Sequence, residues 1–317
     1  EKGRTSLRIV TKSQKKLIRK GAVVKVTSTR KRVKLRLRSS TFDNQRLTAL
    51  APIKRVRLRK HGKTTKRKVK IRLSASAREA LRSCEPRELQ VTARGSKITI
   101  PMSRDTPECR PQPIDLTAAD RCDFIGAQDG SLCLLPFPDD YYTAIDSSTR
   151  TGRRIALRTD AMPANEAGVP IEGADYNRND GFSPGQTIVV RVPGLDTPDA
   201  PIAVIDTETG RRWPIWVELD SNAEDPARTG LLIHPARNFA AGHRYIVVLR
   251  NLKRADGSTI AAPEGFRYFR DDLPSKEGPI KAQRERFESL FRTLRSSAIG
   301  RSDLYLAWDF TVASDEN

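Results

Sequence analysis

The residues of this 317-residue chain that could do chemistry are three histidines, four cysteines and one Asx-rich stretch. The cysteines, Cys84, Cys109, Cys122 and Cys133, form no CxxC pair, and His61, His234 and His243 lie far from them in sequence. A zinc site needs convergent nitrogen and sulfur ligands at short spacings, so none is expected. No HExxH, Walker A or GxGxxG pattern occurs, and no Gly-x-Ser-x-Gly nucleophile elbow is expected. Acidic residues are plentiful in the second half, but spacing alone pairs none of them into a glycosidase-type acid/base dyad. No catalytic residue is expected in this chain.

The Asx-rich stretch is Asp175-Tyr176-Asn177-Arg178-Asn179-Asp180-Gly181. Oxygen ligands at alternate positions are what Ca²⁺ takes, but an EF-hand needs Gly at position six and Glu at position twelve. Asp180 and Gln186 stand there instead. The stretch reads first as an Asx-rich turn; Asp175, Asn177, Asn179 and Asp180 are the candidate ligands of a non-EF-hand Ca²⁺ loop. No other cofactor is expected.

Four cysteines allow three pairings. Chain order suggests Cys84–Cys109 and Cys122–Cys133, the second closing a loop of about a dozen residues, worth on the order of 3 kcal/mol in the chain-entropy model. Two disulfides would place the protein in an oxidising compartment.

The elements that must position these residues divide by charge. Residues 1–110 hold 34 basic and 7 acidic side chains, and the remainder holds 24 and 31. A step of this size marks a domain boundary. In the basic part, Leu7–Val10, Val23–Val26, Val33–Leu37, Val56–Leu58 and Val69–Leu73 mostly alternate apolar with cationic residues. Period 2 places Val, Ile and Leu on one face and Lys and Arg on the other, as in an antiparallel sandwich with a wet cationic exterior. Ser13 is the expected N-cap of a helix over Gln14–Lys20 that stops at Gly21, and Ser76 that of a helix over Ala77–Ser83.

The cationic exterior raises nucleic acid as a partner. Phe42 is the only aromatic residue in the first 100, so the stacking platforms of single-strand readers are missing, and no recognition helix appears. Nucleic acid is not expected; the face reads first as a solvated cationic exterior, and the partners that would suit it are anionic wall polymers or lipid head groups.

Thr106–Pro113, with three prolines, is the expected linker. Beyond it, Pro, Gly, Asp and Asn argue for long surface loops, and strands are expected at Thr187–Val192, Ile202–Asp206, Trp213–Leu219, Leu231–His234 and Tyr245–Leu249. Trp213 and Trp216, on one expected strand, are read as sharing a face used for packing or for a ligand. Ile280–Ser297 is the one long helix, with Phe287, Leu290, Phe291 and Leu294 in a single stripe. Leu304–Val312 reads as a strand leading onward. From its first residue, Glu1, and its polar end, Ser314-Asp315-Glu316-Asn317, the chain is expected to be part of a longer protein. No apolar run reaches the length of a membrane span.

Two resemblances follow from particular residues. Pro235, Gly242, Tyr245, Val247, Leu249, Leu252 and Asp256-Gly257 resemble, in order and spacing, the bacterial Ig-like domains of surface proteins; Tyr245, opening a late strand after a Gly turn, is where a tyrosine corner belongs. More broadly, residues 121–317 resemble the N-terminal part of secreted bacterial virulence-factor-type lipases. The carrying stretches are 135–142 (LPFPDDYY), 151–154 (TGRR), 161–163 (AMP), 179–185 (NDGFSPG) and 308–314 (WDFTVAS). In that family an Ig-like accessory region precedes an α/β-hydrolase-like domain that holds the nucleophile. The basic first part departs from the family pattern.

The expected fold is therefore mostly β. It comprises two β-sandwich (Ig-like) modules, a loop-rich connector and one C-terminal amphipathic helix. The boundaries are a basic module at 1–105, a linker at 106–120, a loop-rich lead-in at 121–182, an Ig-like domain at 183–272, and a helix and strand at 273–317 leading to a further domain. The expected function is the non-catalytic front end of an exported hydrolase-like protein, held at anionic envelope material, outside the cell or at its surface. An adhesin or wall-binding protein with no enzymatic part is the alternative.

Overall fold

A computed structural model describes residues 5–41, 47–58, 64–126, 133–197, 199–223 and 229–316. The chain is mostly β, its strands paired antiparallel. It divides into two compact units, one of Glu1–Pro111 with Asp271–Leu273, the other of Gln112–Arg270 with Pro274–Asn317. The break at Pro111/Gln112 falls inside the 106–120 stretch.

The first unit runs β1 (Thr5–Ile9), α1 (Gln14–Lys20), β2 (Ala22–Ser28), β3 (Arg32–Thr41), β4 (Thr48–Ala49), β5 (Lys54–Arg57), β6 (Thr65–Ile71), α2 (Ala75–Ala80), β7 (Arg87–Ala93) and β8 (Ser96–Pro101). One sheet has the order β1-β2-β6; the other is β4-β3-β7-β8, with β5 also on β3. Alternation decides which side is dry. In β2, Val24 and Val26 are buried while Lys25 is exposed, and in β3, Val33, Leu35 and Leu37 are buried while Arg32, Lys34 and Arg36 are exposed. Both sheets feed one core, with Leu7, Val24, Val26 and Ile71 from the first and Leu35, Leu37, Leu89 and Val91 from the second.

Ser13 caps α1, its Oγ accepting the Lys16 N–H at 3.0 Å. Gly21 ends it with φ +77°, and a Cβ there would stand 2.3 Å from the Ile71 carbonyl oxygen, so only glycine fits. The second helix starts two residues earlier than expected. Ser74, not Ser76, is its cap, accepting from the Ala77 N–H at 3.1 Å. Buried Gln14 donates to the carbonyls of Leu81 (2.6 Å) and Ser83 (3.0 Å), satisfying backbone groups that α2 leaves orphaned. Cys84–Cys109 is a disulfide.

In the second unit come β9 (Thr143–Ile145), β10 (Arg153–Ile155), β11 (Ile188–Arg191), β12 (Ile202–Asp206), β13 (Arg212–Trp213), β14 (Ile215–Leu219), β15 (Gly230–Pro235), β16 (Arg244–Arg250), α3 (Glu264–Arg270), α4 (Gly278–Ser296) and β17 (Leu304–Thr311). Strands β9 and β10 form a hairpin, β11-β15-β14 a three-stranded sheet, and β13-β12-β16-β17 a four-stranded one. Pro214 separates β13 from β14, where one strand was expected; proline cannot donate to a ladder.

The strand expected to lead onward is part of this sheet. It pairs with β16 from Arg244↔Thr311 to Arg250↔Leu304, so the expected boundary at 272/273 is no boundary in the fold. Every residue of β17 is buried. Helix α4 packs its Phe287, Leu290, Phe291 and Leu294 stripe inward, with Phe287 stacked on Phe269 at 4.1 Å. Cys122–Cys133 is the second disulfide. Among the described residues, no helix is long and apolar enough to cross a membrane.

Candidate functional site

Each unit carries a cleft of its own. That of the first unit, about 740 Å³, is lined by Arg30, Arg32, Lys34, Arg55, Arg57 and Arg94, together with Thr5, Val33 and Val56. Its wall is the β3–β5 ladder. Antiparallel register sets Arg32 against Arg57 and Lys34 against Arg55, with Val33 against Val56 between them. Both valines turn inward and are buried, which leaves four cations on the opposite face. Like charges directly opposite one another cost a sheet stability, and this strand pair carries two such pairs. The three-stranded sheet repeats the pattern, with Arg8 against Lys25 and Lys25 against Lys68. Among the described residues, Glu79 pairs with Arg82, Glu85 with Arg87, and Asp105 with Ser13 and the Lys15 N–H, and none of the residues lining the cleft is acidic. The cleft can therefore take an anion bearing several charges.

The second unit has a cleft of opposite character, about 730 Å³ in volume. Leu135, Phe137, Leu157, Met162, Phe182 and Val189 form its walls, and its polar lining is Asn179, Ser183, Gln186 and Ser314, none of them charged. Four of the five stretches that carry the lipase resemblance contribute to it. Its floor is backbone paired to backbone. Phe182 N–H donates to the Thr311 carbonyl at 2.9 Å, and Ala313 N–H to the Phe182 carbonyl at 2.8 Å. Gly181 is required there, since a Cβ would lie 2.5 Å from the Ala313 nitrogen.

Behind that floor lies a buried ionic cluster. Arg286 of α4 donates to Asp139 and to Asp309 Oδ1 (2.8 Å), while Arg244 donates to Asp309 Oδ2 (2.6 Å). Asp140 accepts from the Thr311 N–H and hydroxyl, each at 2.8 Å, and faces Arg153 at 3.3 Å. Burial pushes the Asp309 carboxyl up, but Arg286 and Arg244 outweigh it and hold it below the ordinary range. Burial raises Asp139 well above that range against the pull of Arg286, with Asp123 and Asp309 adding repulsion. Asp123 is raised by burial as well. Asp140 is lifted to about 6 by burial and by Asp309. Sequence reasoning missed this cluster: Asp139 and Arg286 lie 147 positions apart.

The residues singled out from sequence fare differently. The four Ca²⁺ candidates are spent on other work. Asp175 pairs with Arg178, Asn177 bonds both the N–H and the carbonyl of Leu157, Asn179 donates to the Tyr176 carbonyl, and Asp180 accepts the Ser314 N–H. Among the described residues, no group of three or more His, Cys, Asp or Glu side chains gathers as a metal site. Trp213 and Trp216 do not share a face. Trp213 packs on Phe239 and Tyr245 beneath the Arg237 guanidinium, whereas Trp216 lies in the other sheet, half exposed and stacked on His234 at 3.9 Å. Residues three apart on a strand point to opposite sides, which already argues against a common face. Tyr245 lies at the start of β16 and its hydroxyl accepts the Ala240 N–H at 2.8 Å, the geometry of a tyrosine corner. His234 meets Glu218 and Thr187, and His243 meets Asp206. His61 and Phe42 lie outside the described residues.

One expectation is corrected at the level of letters. Gly181-Phe182-Ser183-Pro184-Gly185 does spell Gly-x-Ser-x-Gly. It is not a nucleophile elbow, because it joins a turn to β11 rather than a strand to a helix. The residue after the serine is also a proline, which has no N–H to give an oxyanion.

Comparison of the chain with protein-family models and with curated proteins finds no match, so the resemblances rest on the residues quoted for them.

Proposed function

We propose that the chain is a non-catalytic positioning region of an exported hydrolase-like protein, holding it at anionic envelope material through the basic face of its first unit. The observation that carries this reading is the β3–β5 wall, where cation faces cation across the ladder and, among the described residues, no carboxylate lines the cleft. Each Lys or Arg brought near an anionic lipid surface contributes about 1 kcal/mol, so Arg32, Lys34, Arg55 and Arg57 of the ladder are enough for salt-sensitive attachment. The two disulfides suit an oxidising compartment, outside the cell or at its surface. The hydrolase-like attachment rests on the resemblance of residues 121–317.

The test has two arms. In cosedimentation, the chain should bind phosphatidylglycerol vesicles at low salt, release as salt rises, and ignore phosphatidylcholine; Arg55→Glu with Arg57→Glu should abolish binding. Binding unmoved by salt or by the double variant would sink the anchoring role. Short-chain esters should be hydrolysed by the full-length gene product and not by this chain alone. Hydrolysis by neither would favour the adhesin or wall-binding reading, for which half-exposed Trp216 is the supporting feature.

A further inference from the structure

We propose that the uncharged cleft of the second unit is a binding site for the aliphatic chain of a neutral-headed amphiphile. This inference does not rest on the anchoring role of the basic unit, and the two can fail separately.

The lining decides the class of ligand. Three in ten residues of this chain are charged, yet among the described residues none of those lining this cleft is. An ionised group buried there would lose its water and find no counter-charge, so the inserted part of a ligand is uncharged. The walls are mainly aliphatic. The two phenylalanines meet each other edge-on, Phe137 and Phe182 having ring centroids 5.4 Å apart, and are not set out as parallel platforms. A sugar or a nucleobase is held by flat aromatic faces and several directed hydrogen bonds; an alkyl chain needs only apolar volume. The volume lies within the roughly 300–1,000 Å³ of small-molecule sites.

Concavity separates a ligand site from a flat docking face. Ile155, Leu157 and Phe182 are buried in the wall and floor, while Ile171 and Tyr176 at the rim are about half exposed. The rim thus continues the apolar surface outward, as the entrance for a chain requires. The polar lining is neutral and already bonded within the fold: Asn179 donates to the Tyr176 carbonyl and Gln186 to the Thr187 carbonyl, while the Ser183 and Ser314 hydroxyls accept from the Gly185 and Glu316 N–H groups. Each hydroxyl keeps its own proton to donate to an alcohol, ester or amide head. The backbone pairing under Phe182 holds the floor in place, so the site is largely formed before anything enters.

The experiment titrates the intact chain with the neutral probe N-phenyl-1-naphthylamine and displaces it with 1-dodecanol. Saturable fluorescence enhancement at one probe per chain is expected, with full displacement by dodecanol. Ile171→Asp puts a charge at the rim on an exposed position and should weaken probe binding at least about tenfold. Ile145→Asp, at an exposed isoleucine outside the cleft, should change it less than about twofold and serves as the folding-neutral control. Unsaturable binding, or equal loss in both variants, would overturn the proposal. Displacement by maltose would make the site a sugar site and overturn it too. So would loss of probe binding in step with dimer formation in sedimentation equilibrium, which would mean that a second copy covers the cleft.

Discussion

Arg32 of β3 and Arg57 of β5 are direct cross-strand partners, two arginines on neighbouring backbones on a wall that, among the described residues, contains no carboxylate. The sheet keeps this register because Val33 and Val56, the adjacent pair, are buried on its other side. A one-residue slip would turn the valines to water. Burial therefore imposes the charge opposition, and the charges set the kind of partner.

Replacing one member by a carboxylate should separate stability from binding. Arg32→Glu turns a repulsive pair into an attractive one, worth a few tenths to about 1 kcal/mol. Thermal denaturation at low salt should show a higher Tm for the variant, the gain shrinking as salt is raised. Attachment to anionic vesicles should weaken in the same protein. A lower Tm would refute the repulsion argument.

The two disulfides constrain chain segments of different length. Cys122–Cys133 spans a sequence separation of 11 and Cys84–Cys109 one of 25. Cys122→Ala with Cys133→Ala should lose on the order of 3 kcal/mol by the loop-entropy argument, and the Cys84/Cys109 double variant slightly more. Urea denaturation followed separately for each unit would measure both; equal stability of variant and wild type would contradict it.

Among the described residues, Arg286 is the one cation that bonds both Asp139 and Asp309. Arg286→Met leaves two buried carboxyls without their shared partner and should cost about 3–5 kcal/mol. Arg286→Lys retains charge but loses the fork that reaches both acids, and should fall between wild type and Met. Denaturant midpoints rank the three proteins, and a Met variant as stable as wild type would show that the cluster is dispensable.

Asp140 predicts a pH dependence with a definite sign. Its folded-state carboxyl titrates near 6 against an ordinary 3.8, so between those values the folded chain keeps a proton that the unfolded chain has released. Its stabilising share is full below about pH 4 and is lost as pH rises to about 6, an amount on the order of 2–3 kcal/mol. Asp140→Asn cannot release that proton. The stability difference, wild type minus variant, should therefore fall between pH 4 and pH 6, and a flat difference would mean that the group is not raised.

Local chemistry made much of the first unit legible from residues. Ser13 and Gly21 frame α1 because a hydroxyl cap and a left-handed stop are properties of single residues. The second helix was misplaced by two positions because Ser74 and Ser76 both offer a hydroxyl, and only the backbone path selects one. Strands β7 and β8 went unnamed. Leu89, Val91 and Ala93 in β7 and Ile98 and Ile100 in β8 do alternate with polar residues, but neutral Gln90, Thr92 and Thr99 stand where the other strands of the unit mostly carry cations.

The sites were legible in kind but not in place. Alternating cations announced a basic face, whereas the opposition of Arg32 to Arg57 depends on which strands pair. The apolar cleft draws on residues from Leu134 to Ser314, and no local spacing connects them. Asp309 was visible as one acid within an apolar strand; that it meets Arg286 and Arg244 is a matter of tertiary packing.

The contributors to the ionic cluster also set an order of events during synthesis. Asp139 and Asp140 leave the ribosome early, Arg286 much later, and Asp309 with its strand β17 last. Until that strand emerges, β16 lacks its neighbour, and Asp140 lacks the Thr311 backbone and hydroxyl that satisfy it. The second unit is thus a late closer: a nascent chain halted before Leu304 should remain open to protease, and one extended past Thr311 should become resistant. A polypeptide that cannot close prematurely is also one that remains threadable, a useful property if it must pass through a translocation pore before reaching the place where its disulfides form.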